Sequence, residues 1–322
     1  MKKILPIVTN CTLSSYPYFS NYLGALTANK KIVDNLIINN FFNIRYVPFK
    51  GKVFFLNRDK IKRQLNPLVF NYPIINPIHF VIENINKNKY INMVLNLENI
   101  NFDDGFHIPD DKHCWLIYGY DSDKQLVYMV GYLQKNEINV YRTFTISFDD
   151  FISSIPNSTD CCKEWINNIM YNHTFSIDNY KDEELDLKKI KKKILINLLF
   201  VPFFNNNVYS CLILHIKFVM LFSYYPKRSI IDMRDYKTIY ERINILLKIY
   251  KSLKISNYQL DKCFNLKKEV LDLILLISKN QTCSSKICLT KVIKKLLIIK
   301  KHERKYLLTI YKEIKKKTHK IL

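Results

Sequence analysis

Two residues in this sequence have types and positions that suit nucleophilic chemistry, Cys11 and His113. Cys11 stands in Thr9-Asn10-Cys11-Thr12-Leu13-Ser14, just ahead of a stretch, Ser20–Leu26, with helical character. A thiol at or before a helix N-terminus can have a lowered pKa, because the positive end of the helix stabilises the thiolate, which is the reactive form. The plainer reading of Cys11 is a small buried residue, a common fate of free cysteine. Pro17 falls inside the expected helix and fits a first turn better than an interior. His113 opens an apolar strand, where an imidazole can reach across to a thiol on a neighbouring element and take its proton. Its plainer reading is an exposed or capped loop histidine, and His107 competes for the same role from six residues earlier. Cys114 follows His113 directly, and adjacent strand residues face opposite ways, so those two are not expected to share a site. A Cys–His site wants an Asp or Asn to hold the imidazole. Asp121 and Asp123 are available, but both sit at a hairpin turn, where Asp is expected for structural reasons. The next strand reads Met129-Val130-Gly131-Tyr132, with neither acid nor amide.

The elements that must position these residues read as mixed helix and strand over residues 1–155. Ser20–Leu26 and Lys31–Phe42 are helical, Pro67, Pro73 and Pro77 mark a connector, and Ile78–Asn86 is a short amphipathic helix. Tyr90–Leu97 is a strand by its length and branched residues. Cys114–Tyr120 and Leu126–Tyr132 form a hairpin about the turn Asp121-Ser122-Asp123-Lys124. Tyr141–Ser147 is a further strand leading into a helix at Phe148–Ile152. Residues 156–184, rich in turn formers and acids, read as a linker. From Leu185 the period becomes helical. Tyr236, Ile239, Tyr240, Ile243, Leu246, Leu247, Tyr250 and Leu253 share one face, and Lys237, Glu241, Lys248 and Lys251 fall away from it. Val270–Ile277 and Ile287–Ile299 are two more apolar helical segments. The expected organisation is a domain over 1–155, a linker over 156–184 and a basic helical domain over 185–322.

Composition narrows the function classes. The chain has 322 residues, 48% hydrophobic and 24% charged, enough to bury a core. Its 5 glycines form no Gly-rich phosphate loop. The 8 cysteines show no C-x-x-C pair and no zinc-type cluster with histidine, so neither a metal nor a cofactor is expected. Free thiols in a cytoplasmic protein are the expectation. Met1-Lys2-Lys3 begins like a signal peptide, but the apolar run Ile4–Val8 is shorter than a signal core of about 7–15 residues. Val208–Tyr225 is long enough to span a bilayer, yet His215 and Lys217 lie at its centre, so it reads as a buried core helix and no transmembrane segment is expected. The net charge of +22 is uneven: residues 1–175 carry 18 basic and 15 acidic side chains, and residues 176–322 carry 32 and 13. An AT-rich genome explains part of the Lys excess. The basic half still offers a surface for an anionic partner, though no recognised nucleic-acid module is visible.

The strand His113-Cys114-Trp115-Leu116-Ile117-Tyr118-Gly119-Tyr120-Asp121 resembles the His-headed strand of papain-clan proteins of the bacteriocin-processing peptidase type. The order of Cys11, the Tyr90–Leu97 strand, this strand and Ile146-Ser147-Phe148-Asp149-Asp150-Phe151 is similar to butirosin biosynthesis protein H-like proteins, a papain-like group that includes an acyltransferase acting on a carrier protein. The second half, where Asp232-Met233-Arg234-Asp235-Tyr236 leads into a Tyr-Glu-Arg helix, resembles Firmicute relatives that accompany peptide natural-product genes. The resemblance implies an α+β fold, with a papain-like N-terminal domain built on an antiparallel sheet and an all-helical C-terminal region. It implies acyl transfer or peptide hydrolysis with Cys11 as nucleophile, His113 as general base and Asp121 as the nearest available acid. The implied partner is an acyl- or peptidyl-carrier protein or a peptide. The family's usual acid on the following strand is absent near Gly131, which leaves a Cys–His dyad or a non-catalytic binding protein of the same fold.

Overall fold

A computed structural model of the chain describes residues 1–11, 13, 17–41, 44–47, 52–55, 60–70, 73–98, 100, 102, 105–108, 113–135, 138–156, 172–198, 208–221, 233–255, 257–278 and 286–319. The elements run β1 (Lys2–Ile4), α1 (Pro17–Ala28), α2 (Val33–Phe41), β2 (Ile44–Val47), β3 (Lys52–Phe55), α3 (Lys60–Leu65), β4 (Leu68–Val69), α4 (Pro77–Asn86) and β5 (Lys89–Leu95). They continue as β6 (His113–Asp121), β7 (Leu126–Lys135), β8 (Ile138–Ser147), α5 (Phe148–Ser153), β9 (His173–Ser176), α6 (Leu187–Leu198), α7 (Val208–Leu221), α8 (Met233–Ser252), α9 (Asn257–Ser278) and α10 (Lys286–His319). The fold is α+β, an antiparallel sheet with many helices and a helical C-terminal region. Two contact units emerge. One holds Met1–Val33 with Asp59–Asp182, the other Asp34–Arg58 with Glu183–Leu322.

The first unit is built on a seven-stranded sheet in the order β4-β9-β5-β6-β7-β8, with β1 also paired to β6. Every pairing is antiparallel. Antiparallel partners share a face, and the face alternates along each strand. Asn92 pairs with Leu116 and His173, and Leu116 pairs with Val130, so these four lie on one face together with Cys114 and Tyr132. Ile91, Met93, Trp115 and Met129 belong to the other. Helix α1 packs against β6 and β7 on the first face. Two cap side chains fix short helices beside the sheet. Asn76 accepts from the His79 amide ahead of α4, where Pro77 takes the first helical position, and Ser147 accepts from the Asp150 amide ahead of α5.

The expected linker contains part of this sheet. β9 lies within 156–184 and pairs with both β4 and β5. Its four residues are too few to show a period, and acidic residues follow them closely. Residues 34–58 leave the first unit and cluster with the C-terminal helices. The boundaries drawn from composition at 155 and 185 therefore differ from the contact units.

The second unit packs α6 to α10 with α2 and the β2–β3 hairpin. α8 buries Tyr236, Ile239, Ile243, Leu246, Leu247 and Tyr250 of the face expected from its period, with Leu253 buried just beyond its end. Tyr240 of that face is half-buried, and Glu241, expected to fall away from it, is buried. It also buries Thr238, Arg242, Ile245 and Ile249, so little of its circumference is solvated. The buried guanidinium of Arg242 meets Glu303 of α10 at 2.7 Å and donates to Asn197 of α6 at 3.1 Å. Glu303 also accepts from the Tyr209 hydroxyl of α7. One ionic cluster thus ties four helices. α7 is a core helix, with Val208, Tyr209, Leu212, Ile213 and Ile216 buried. Among the described residues no helix is long and apolar enough to cross a membrane.

Candidate functional site

Between α1 and the sheet lies a layer of buried polar side chains. The Tyr141 hydroxyl donates to Asn21 Oδ1 at 2.7 Å, and Asn21 Nδ2 donates to Asn92 Oδ1 at 2.6 Å. Asn92 Nδ2 in turn donates to Cys114 Sγ. One directed chain of hydrogen bonds therefore runs from a phenol on β8, through a helix amide and a strand amide, to a thiol on β6. Beside it, Ser20 Oγ and the Tyr132 hydroxyl are 3.0 Å apart, and the Tyr22 hydroxyl and His173 Nε2 are 2.6 Å apart. Three successive residues of α1, Ser20, Asn21 and Tyr22, each supply one link. All three are buried, as are Asn92, Cys114, Tyr132, Tyr141 and His173. Buried polar groups persist where they are hydrogen-bonded, and this layer satisfies that need with side chains.

Cys11 borders this layer. Segment Ile7–Cys11 runs along the flank of α1 at Gly24, where the Val8 amide donates to the Gly24 carbonyl at 3.2 Å. A Cβ at Gly24 would stand 2.5 Å from the Val8 carbonyl oxygen and 3.6 Å from Cys11 Sγ, so the glycine is what lets the segment approach. The Cys11 thiol faces the Val8 carbonyl at 3.5 Å and the Ser20 carbonyl at 3.6 Å, either of which its one S–H can meet. Burial pushes its pKa up to about 12. Burial also holds the Tyr141 phenol well above its ordinary range, and charge on Cys11, Tyr132 or Cys114 would raise it further, which places these four groups in one neighbourhood.

The expected helix-end activation of Cys11 is not what the structure gives. The described part of α1 runs from Pro17, six residues after Cys11. The thiol meets carbonyl oxygens on the flank of the helix rather than amide hydrogens at its end. Oxygen acceptors favour S–H over S⁻, so hydrogen bonding acts here in the same direction as burial.

The remaining candidates are dispersed. The backbone of His113 opens β6 paired to Leu95, at a register position on the Trp115 face, while Cys114 lies on the face of α1. Its side chain lies outside the described residues. Asp121 closes the other end of β6, eight residues away, or about 27 Å along a strand. Its Oδ1 accepts from the amides of Asp123 and Lys124 at 3.1 and 3.2 Å, so its carboxylate ties the hairpin turn and does not reach His113. His107 forms a two-residue bridge with Gln134, and its Nε2 lies 3.1 Å from Gln134 Oε1 in an exposed imidazole–amide pair. The absence of an acid at Gly131 has a steric cause. A Cβ there would lie 2.3 and 2.5 Å from Cε3 and Cζ3 of Trp115, whose ring covers the glycine.

The polar layer was missed in the sequence, although it left a signal. Asn92 interrupts an otherwise apolar strand, and Asn21 sits inside an apolar helical run. A polar residue at a core position of either period marks a buried partner.

No known family model, curated protein or solved structure matches the chain. The resemblance to papain-like proteins therefore rests on the residues quoted for it.

Proposed function

We propose that the chain acts by binding rather than by turnover, as a papain-like accessory protein of a peptide natural-product system that engages a peptide or a carrier domain. One observation carries this reading. The Cys11 thiol faces two carbonyl oxygens, either of which its one S–H can meet, and burial holds it protonated, with its pKa pushed up to about 12. At neutral pH such a thiol stays almost wholly protonated, unlike a cysteine nucleophile. The buried layer of Asn21, Asn92, Tyr132 and Tyr141 then serves to hold α1 on the sheet in one register.

The test is intact-mass analysis of the full chain after incubation with an S-acyl N-acetylcysteamine thioester. The binding reading predicts no acyl adduct on Cys11, and Cys11→Ala keeps the fold and any partner affinity. A stoichiometric adduct on Cys11 that disappears in Cys11→Ala would overturn it.

A second reading, acyl transfer, draws on the exposure of the thiol. Cys11 is only partly buried, unlike Cys114, so an electrophile can approach it. That reading asks His113, whose backbone lies at a register position on the face opposite α1, to take the Cys11 proton. The thiolate would attack a thioester or peptide carbonyl, and the leaving thiol or amine would depart with that proton. An amine or water would then take the acyl group and free the thiol.

A further inference from the structure

The longest helix of the second unit presents a surface that its packing does not use. α10 has 34 residues, a rod of about 51 Å. Its buried positions, Leu289, Val292, Leu296, Ile299, Glu303, Leu307, Ile310 and Ile314, form one narrow face. At about 100° per residue, all twelve exposed positions among the described residues fall within an opposite arc of about 140°. Eight of these are Lys or Arg, three are Leu297, Ile298 and Leu308, and one is Thr290; none is acidic. Leu297 is 50% exposed, and Ile298 and Leu308 are each 42% exposed.

An ordinary solvated helix face mixes both signs of charge and keeps large apolar side chains few. The acids near α10 are used elsewhere. Glu269 and Asp272 of α9 pair with Lys295 on its flank, and Glu313 pairs with Lys316 at one end of the stripe. Genome bias does not account for the pattern, because residues 1–175 of the same chain carry 18 basic against 15 acidic side chains. A line of cations with leucine and isoleucine set among them fits a surface that is anionic outside and apolar just beneath. Nucleic acid would satisfy the cations and leave the three apolar side chains against phosphate and water. The stripe runs about 38 Å from Lys291 to Lys316, a length that suits an extended surface.

We propose that the exposed stripe of α10 docks the protein on an anionic lipid bilayer surface, with Lys294, Lys301, Arg304 and Lys305 at the headgroups and Leu297 and Leu308 at the acyl boundary. The test is co-sedimentation of the full chain with vesicles of phosphatidylcholine alone and of an equimolar phosphatidylcholine–phosphatidylglycerol mixture. Binding is expected to the mixed vesicles only and to fall with salt. The variant Lys294→Gln/Lys301→Gln/Lys305→Gln should lower partitioning by about fivefold per cation, on the order of a hundredfold in all. Leu297→Ser/Leu308→Ser should lower it by roughly tenfold. All these positions are exposed, so the variants should keep the wild-type circular dichroism. Absence of binding to the mixed vesicles, or wild-type binding by the lysine variant, would overturn the proposal. So would preferential binding to duplex DNA combined with indifference to the leucine substitutions, which would assign the stripe to nucleic acid.

Discussion

Replacing Gly131 with alanine should destabilise the first unit, and the size of the effect follows from the Trp115 ring. The added methyl would stand 2.3 and 2.5 Å from two ring carbons, where carbon contacts settle at about 3.5–4.0 Å. One partner must move by about 1 Å. Trp115 is fully buried and meets Phe144 edge-to-face at 5.4 Å, so it has no free volume to retreat into. Overpacking of this kind costs about 1–3 kcal/mol. A Gly→Ala change compatible with its backbone gains about 0.4–1 kcal/mol by restricting the unfolded chain, which offsets part of that. The net loss is about 1–2 kcal/mol, or about 2–8 °C in Tm for a unit of this size. Differential scanning calorimetry of the full chain reads it. Trp115→Phe removes the outer ring carbons, so the alanine should cost less in that background. A Gly131→Ala protein as stable as wild type, or an equal cost in both backgrounds, would refute the steric reasoning. It would also reopen the β7 position to the acid that the papain-like resemblance asks for.

Two further outcomes concern the helical unit. Glu303→Gln removes the counter-charge of a guanidinium that is 3% exposed and should cost about 3–5 kcal/mol, whereas Arg242→Met with Glu303→Leu should recover most of it. Chemical denaturation of the wild type and these two variants checks this, and a loss below about 1 kcal/mol for Glu303→Gln would contradict it. Lys193 is pushed down to about 8, chiefly by burial and then by the nearby charge of Lys189. Between that value and the ordinary lysine range the unfolded chain binds the extra proton, so this group makes stability rise with pH across about 8 to 10.5 and has no pH effect below it. Lys193→Met should lack that rise, and urea midpoints across the window measure the difference between the two proteins.

The sheet was legible where apolar runs are long. Cys114–Tyr120 and Leu126–Tyr132 are unbroken apolar and aromatic runs on either side of the Asp-Ser-Asp-Lys turn, and that pattern marks the hairpin. Helices with a sustained apolar face, such as α8, were equally plain. Short strands were not: β9 has four residues and β2–β3 four each, below the length at which a period of two can be seen. The site was legible in its cysteine and illegible in its environment. Whether a thiol near a helix is activated depends on where the helix begins and what the sulfur faces. Here the Val8 and Ser20 carbonyls face the sulfur. Asp121 shows the same limit from the other side, since its residue type fits an acid in a triad and its position makes it the tie of a turn. The partners of α1 in the polar layer come from β5, β7, β8 and β9, contacts between distant parts of the chain that no local period reports.

The rate of iodoacetamide alkylation at Cys11 as a function of pH, read by mass spectrometry in the native full chain and in denaturant, tests the binding reading most directly. A thiol held protonated by burial and by carbonyl acceptors should alkylate more slowly in the native chain than in denaturant, and its rate should keep climbing above about pH 9, where the denatured rate levels off. Fast labelling confined to Cys11 and already independent of pH from about pH 6 would show a stabilised thiolate, and would make Cys11 a nucleophile.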